Sequence, residues 1–269
     1  AFGTDGFTLG NGSLVNANAG TYVSYNWRAG NSQGSSNTDG SINTTYTSVN
    51  TTAGFSISKY TGTGSNATVG HGLGVVPKMI MVKRLDTASD WRVYHSETAG
   101  TNQLFLNRSN AKDDDNTIWN DTEPTSSVFT VGTNTGGNAS GGTYVAYCFI
   151  EKKGFSKISS WKGNGNADGP FIYTGFKPAF IISKNSNRNE NWLIHDNKRS
   201  TFNVNQNRIN PNDAGAESSA SYFNLDFLSN GFKIRSTDTA LNQSGEVYVF
   251  MAFAAEPLVA SNGTPATAR

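Results

Sequence analysis

A single cysteine, three histidines, and apolar runs that stay short, such as MIMV and FII, limit what this 269-residue chain can be. Cys148 alone excludes an intrachain disulfide framework, and its place in TYVAYCFI marks a buried small hydrophobe rather than a redox centre. The apolar runs fall far short of the roughly 20 residues that a bilayer-spanning helix needs, and the opening AFGTDG has no signal-peptide pattern. Any targeting segment would lie upstream. Charge is scarce as well: 15% of residues are Asp, Glu, Lys or Arg, the net charge is +1, and the basic residues are scattered. That excludes the electrostatic footprint expected for nucleic acid or an anionic membrane. No window sustains a helical period, so LNRSNAKDDD and RINPNDAGAESSA read as loops with at most one helical turn.

What is plentiful is Gly, at 29 residues, with Asn, Ser and Thr between the apolar runs. That is the composition of short strands joined by turns. The chain also writes one segment twice. GFSISKYTGTGSNATVGHGLGVVPKMIMVK, closing with DWRVYHS, returns as GFSKISSWKGNGNADGPFIYTGFKPAFIISK, closing with NWLIHDN. The offset is 100 from Phe55 to Phe155 and 101 for Tyr60/Trp161, Gly74/Gly175, Pro77/Pro178, Lys83/Lys184 and Trp91/Trp192. A fixed period of this kind is the mark of a repeated structural unit.

The second half of the unit repeats more loosely, with Phe129, Tyr144 and Phe149 matching Phe232, Tyr248 and Phe253. A third copy of this half stands at the N-terminus in GFTLGNGSLVNANAGTYVSYNW, where Phe7 and Tyr22 keep the same spacing. Residues 1–30 are therefore expected to be the closing hairpin of an incomplete unit, which makes the chain the C-terminal part of something longer. Residues 31–53, almost devoid of apolar side chains, read as an extended polar linker. Residues 54–152 and 153–257 read as two units, and 258–269 as a polar tail and natural end. About six strands per unit, separated by turn residues, predict an all-β fold of two tandem antiparallel β-sandwich, jelly-roll-like repeats. Pro77 and Pro178 suit strand starts, Gly74 and Gly175 suit turns of positive φ, and the repetition of Trp91 and Trp192 favours packing between sheets.

Candidates for chemistry are sparse. Neither His95 nor His195 is repeated, since they align with Asp196 and Tyr94, and His71 has no counterpart either. Half-buried histidines making single hydrogen bonds are expected, not a metal site, which needs three or four clustered ligands. His71-Gly-Leu-Gly is similar to an esterase oxyanion segment, but no G-x-S-x-G nucleophile elbow accompanies it. Asp113–Asp115 lack the Gly and distal Glu of an EF-hand and read as a solvated acidic turn. No carboxylate pair stands out for glycoside hydrolysis. The sequons at Asn43, Asn66 and Asn107 are what a chain rich in Asn, Ser and Thr generates by accident. No catalytic residue, metal or cofactor is assigned.

The repeated motifs, with SGGTYVAYCFIE, DFLSNGFKIRS and the ending PATAR, resemble the repeated domain, without established activity, of long virion proteins of marine bacteriophages, including those of cyanobacteria and pelagic bacteria. In fold class the chain is similar to concanavalin or laminin-G-like jelly-roll modules. The resemblance implies a virion localisation in a tail fibre or similar appendage, with other virion proteins and a host-surface glycan as partners, and a homo-oligomer with a trimer favoured. A decoration protein binding only virion chains is the alternative, and a polysaccharide depolymerase a third reading. Neither nucleic acid binding nor membrane insertion is expected. Repeated positions belong to the common scaffold, so receptor contacts are sought where the copies differ: 84–90 against 185–190 and 107–121 against 198–221. There Arg108, Trp119, Arg199 and Arg208, with Tyr222 at the far end of the last stretch, combine planar faces with donors suited to sugar rings.

Overall fold

The computed structural model describes residue 3 and residues 6–255, so the tail at 258–269 lies outside the described residues. The first unit carries β1 (Tyr46–Asn50), β2 (Phe55–Thr61), β3 (Ala67–Gly70), β4 (Met79–Arg84), β5 (Arg92–His95), β6 (Asn102–Phe105), β7 (Asp113–Asp114), β8 (Val128–Val131) and β9 (Thr143–Phe149). The second carries β10 (Ser156–Lys162), β11 (Phe171–Tyr173), β12 (Pro178–Asn185), β13 (Leu193–Asp196), β14 (Leu225–Leu228), β15 (Gly231–Ile234) and β16 (Val247–Ala254). All ladders between these strands are antiparallel. In unit one a seven-stranded sheet ordered β1-β2-β9-β4-β5-β6-β7 is covered by the pair β3-β8. In unit two a four-stranded sheet ordered β10-β16-β12-β13 is covered by β11-β15-β14. The chain is all-β, in antiparallel sandwich-like layers.

The repeat is carried into hydrogen-bonding detail. Tyr144, near the start of β9, accepts from Ala139 N–H and donates to the Thr135 carbonyl, each at 2.7 Å. Tyr248 does the same with Gln243 and Thr239 at the same distances. Each Tyr closes a single helical turn, Thr135–Asn138 or Thr239–Asn242, capped by Asn134 or Asp238. Tyr60 stacks on Tyr144 and donates to the Gly137 carbonyl; Trp161 stacks on Tyr248 and donates to the Leu241 carbonyl. Gly62 and Gly163 follow because a Cβ there would stand 2.4 Å from the Ala139 carbonyl oxygen and 2.2 Å from that of Gln243. Strand pairing also corrects the sequence offset at one place. Phe55 and Ser156 face Phe149 and Phe253 respectively, so the structural offset is 101 there too, and Phe155 lies one position before β10.

Alternation along the strands builds three apolar layers. Tyr144, Ala146 and Cys148 of β9 and Ile80 and Val82 of β4 point into the first sandwich, while Tyr248, Phe250 and Ala252 of β16 point into the second. The other faces meet each other. Met79, Val93, Phe149, Ile182, Val249, Met251 and Phe253 form one buried cluster between the units. The two large sheets are thus covered on both faces, which is why β16 reads VYVFMAFA without a polar alternate. Polar bonds cross the seam as well: Trp192 Nε1 donates to the Phe105 carbonyl at 2.8 Å, and His95 Nε2 lies 3.2 Å from the Phe250 carbonyl.

Three expectations change. No strand forms between residues 6 and 45, so the N-terminal hairpin is absent among the described residues. Instead Tyr25, Trp27 and Ala29 turn inward on an extended segment that packs on the inter-unit cluster. The alternation Tyr25/Trp27 against Ser24/Asn26 reports two side-chain faces, not a ladder, and the sheet edge beside β2 is held by β1. Residues 46–50 of the expected linker are that edge strand. They are held by buried hydroxyls, with Thr44 2.9 Å from Thr47, Thr47 3.0 Å from Ser58, and Ser58 donating to the Gly70 carbonyl. Asp113 and Asp114, read as a turn, form β7 against Gln103 and Asn102, and Asp115 caps the helical turn Asn116–Trp119. The positive φ of Gly74 and Gly175, +69° and +84°, agrees with the sequence reading.

Candidate functional site

The five residues singled out from the sequence do not form one site. Trp119 is a core residue, 2% exposed, set edge-on against Tyr94. Its side chain cannot meet a receptor, and the sequence expectation for it is corrected. The helical turn Asn116–Trp119 rolls Ile118 and Trp119 inward together. Arg108 is exposed but clamped to both oxygens of Asp90, at 2.7 and 2.6 Å, and lies over the Phe105 ring. Arg199 is fully engaged by Asp196, by Glu217 at 2.8 Å and by the Ile194 carbonyl at 2.9 Å. Burial raises the Asp196 carboxyl, but hydrogen bonds from Tyr25 and Arg199 outweigh it and hold the group below the usual carboxylate range. Arg208 and Tyr222 do come together. The Arg208 guanidinium lies 3.7 Å from the centre of the Phe223 ring, and the half-exposed Tyr222 ring packs 4.4 Å from the same ring.

The histidines are more deeply placed than expected, all three fully buried. His71 and His95 each use both ring nitrogens, one near a carbonyl and one accepting a backbone N–H. Cys148 is buried as expected, and burial pushes its thiol up to about 12. Lys184 is completely buried. Its Nζ donates to the carbonyls of Asn185 and Arg188 at 2.6 and 2.8 Å, and burial lowers its pKa to about 8. Its repeat partner Lys83 donates to the Ser89 carbonyl at 2.6 Å, which assigns both lysines to closing the loop after their strand. Among the described residues no group of three or more His, Cys, Asp and Glu is placed to hold a metal ion.

Two hollows remain. One is an apolar cleft of about 330 Å³ on the seam between the units, with Phe55, Met81, Trp91 and Tyr147 from one side and Ile182, Ile194 and Met251 from the other. Tyr25 and Trp27 close part of it. Trp27 meets Phe180 and Phe253 at 5.5 Å each, and Tyr25 anchors the segment through its hydroxyl on Asp196 at 2.7 Å. Replacing Trp27 with Ala should therefore cost only about 1–2 kcal/mol, since the ring is half-buried, while opening the seam. A small drop in melting temperature with a clear rise in apolar-dye fluorescence is the expected result.

The second hollow, about 250 Å³, is polar. It is lined by Lys177, Asn197, Ser200, Thr201, Phe202 and Asn203 over a floor of Phe227. The loop that supplies most of it is braced. Asn203 forks onto Phe227, with its amide donating to the carbonyl and its oxygen accepting the N–H, each at 2.9 Å. Asn205 donates to the Asp196 carbonyl at 2.9 Å, Asn207 N–H reaches Ser200 Oγ at 3.2 Å, and Asn197 N–H reaches the Ala179 carbonyl at 2.9 Å. On this braced loop Phe202 stands 84% exposed. Sequence reading marked the loop 198–221 as divergent but passed over Phe202, although it is an aromatic residue in a polar segment without a counterpart in unit one.

A family model described as a domain of unknown function, DUF7483, matches residues 1–257. The chain belongs to the DUF7483 family. The match runs through both units and the N-terminal segment, so the DUF7483 region takes in the seam, its closing segment and the polar hollow together. No curated protein and no solved structure matches the chain.

Proposed function

We propose that this DUF7483 chain is a non-enzymatic recognition module of a virion surface appendage, of tail-fibre type, that attaches the particle to a host-surface glycan. The virion setting rests on the sequence resemblance. The observation that carries the recognition role is the contrast between the two copies. In unit one the stretch 102–119 folds into β6, β7 and a helical turn that buries Phe105 and Trp119. In unit two the corresponding stretch is a long braced loop that leaves Phe202, Val204 and Tyr222 exposed. Scaffold positions repeat, and Phe202, more exposed than the β11 rings Phe171 at 46% and Tyr173 at 65%, stands where the copies part, as expected when binding is carried by loops on a fixed frame.

Purified protein is expected to bind cells or isolated envelopes of a marine bacterial host, and antibodies against it to label tails. Absence of both would remove the adhesion reading. A second reading, a decoration or assembly protein that binds only virion chains, is favoured by the exposed apolar side chains ahead of the seam segment, Leu14 at 92%, Val15 and Tyr22. Copy number in an image of the particle separates the two: a few copies at the tail support the fibre, and lattice-scale numbers support decoration. A homo-oligomer, with a trimer favoured, belongs to the same proposal and is measured by light scattering. The N-terminal segment does not demand it, since Tyr25 and Trp27 are packed within their own chain.

A further inference from the structure

From the composition and bracing of the polar hollow in unit two, we infer that it is a subsite for one ring of a carboxylated saccharide, such as a hexuronate. The inference rests on the glycan-binding reading above and assigns it a place and a ligand class.

The first observation is a mismatch between order and exposure. An aromatic ring left 84% exposed contributes little to folding, yet the loop that carries Phe202 is tied to β12 at Ala179, to β13 and to β14 by the side chains and backbone of Asn197, Ser200, Asn203, Asn205 and Asn207. A loop held this way has already lost the conformational freedom that binding would otherwise remove. The ring presents a flat apolar face at the rim of a polar hollow, which is what the C–H face of a pyranose stacks on.

The second observation is the set of unspent groups. The side chains of Lys177, Asn197 and Thr201 make no hydrogen bond or ion pair with another described residue. They bring an ammonium from the lead into β12 and a carboxamide and a hydroxyl from the loop after β13 to one hollow, and together they both donate and accept. Ring hydroxyls need that mixture. Asn203 and Ser200, by contrast, are occupied in holding the loop.

The third observation is charge. The lining includes one cation, Lys177, and no Asp or Glu. The nearest carboxylate in sequence, Asp196, is committed to Tyr25 and Arg199. An uncompensated ammonium beside hydrogen-bonding groups selects an anionic sugar over a neutral one of the same shape, through a charge-assisted bond that salt weakens. The hollow is smaller than the roughly 300–1,000 Å³ of sites for drug-sized ligands, so it takes one ring and the rest of a chain runs over the surface.

The experiment uses the full chain and two immobilised probes, a galacturonate tetrasaccharide and its neutral galactose counterpart, with ligand-observed saturation-transfer NMR as a second readout. The wild type is expected to bind the uronate in preference, with the preference fading as salt is raised. Phe202→Ala should weaken uronate binding about 10-fold or more, with an unchanged thermal melt because the ring is exposed. Lys177→Gln should erase the preference for the uronate while leaving the weaker neutral binding. No binding of either probe at millimolar concentration, equal binding of both, or uronate binding untouched by Phe202→Ala would each overturn the assignment. Binding to whole cells is measured in parallel. If Phe202→Ala keeps full cell attachment, this hollow is not the subsite and the adhesion reading stands. If the wild type binds the uronate but no cell, the subsite stands and the adhesion reading falls.

Discussion

Replacing Trp192 with alanine should lower stability by about 3–5 kcal/mol, the usual cost of emptying a core aromatic site. The residue is fully buried, but its place makes it more than a large side chain. It stands in the layer between the units, and its indole N–H is the donor to the Phe105 carbonyl at 2.8 Å, a bond that runs from one unit to the other. Alanine removes the volume and leaves that carbonyl without its partner, and each loss adds to the other. For a chain of this size the melting temperature should fall by about 10 °C or more. Trp192→Phe, which keeps most of the volume and loses only the N–H, should fall between the two. The shape of the transition is a further readout. The seam buries Phe149 and Val93 of one unit against Phe253 and Met251 of the other, so the wild type should melt in one step. In the Trp192→Ala protein the seam is the first contact to fail, and two steps are expected. A variant that melts at the wild-type temperature in one step would show that the seam does not couple the units. The same packing predicts that residues 153–255 alone, with Phe180, Ile182, Ile194, Val249, Met251 and Phe253 uncovered, would aggregate.

The sequence disclosed the scaffold because scaffold signals are local and repeated. The offset of 101 at Tyr60/Trp161 and Gly74/Gly175 is the register of the folded units, and Pro77 precedes β4 where a missing N–H costs nothing. The seam could have been read from the unbroken apolar run VYVFMAFA, since a strand covered on one face only would alternate. Other features were hidden for physical reasons. β1 is written YTSVN and is held through hydroxyls on Thr44, Thr47 and Ser58, a mode that looks from composition like an exposed linker. Trp119 and Phe202 sit in polar loops of similar composition. Whether such a ring turns inward depends on what the loop packs against, and no pattern along the chain carries that information. The same limit applies to Arg199, whose neighbour Asp196 is visible in sequence but whose partner Glu217 is brought in by the fold.

Acid should begin to destabilise this protein above the carboxylate range, because its histidines are buried in neutral form. His95 Nδ1 accepts the Glu97 N–H at 3.2 Å, so its proton is on Nε2, which donates to the Phe250 carbonyl across the seam. His195 Nε2 lies 3.1 Å from the Phe223 carbonyl, and its Nδ1 has no partner among the described residues. Burial lowers both to about 4, against a pull upward from Glu97 and Glu151 at His95 and from Asp196 at His195, and with Lys78, Arg199 and Arg208 pressing the same way as burial. His71 is lowered by burial too. Above the ordinary histidine pKa of about 6.5 neither the folded nor the unfolded chain binds these protons, and stability is at its plateau. Between about 6.5 and 4 the unfolded chain takes up protons that the folded one refuses, so stability falls with pH, by up to about 3 kcal/mol for each of His95 and His195. Asp196 and Glu151, held low in the fold, add their own loss only below the usual carboxylate range. Denaturant melts at pH 8, 6, 5 and 4 should therefore show the midpoint constant from 8 to about 7 and then dropping steeply, with proton uptake on unfolding at pH 5. His95→Gln, whose amide can still donate to the Phe250 carbonyl, should reduce the slope of that drop by the share of one proton. A midpoint that stays flat from pH 7.5 to 4.5 would mean that the imidazoles reach water in the folded protein and that the seam around His95 is open.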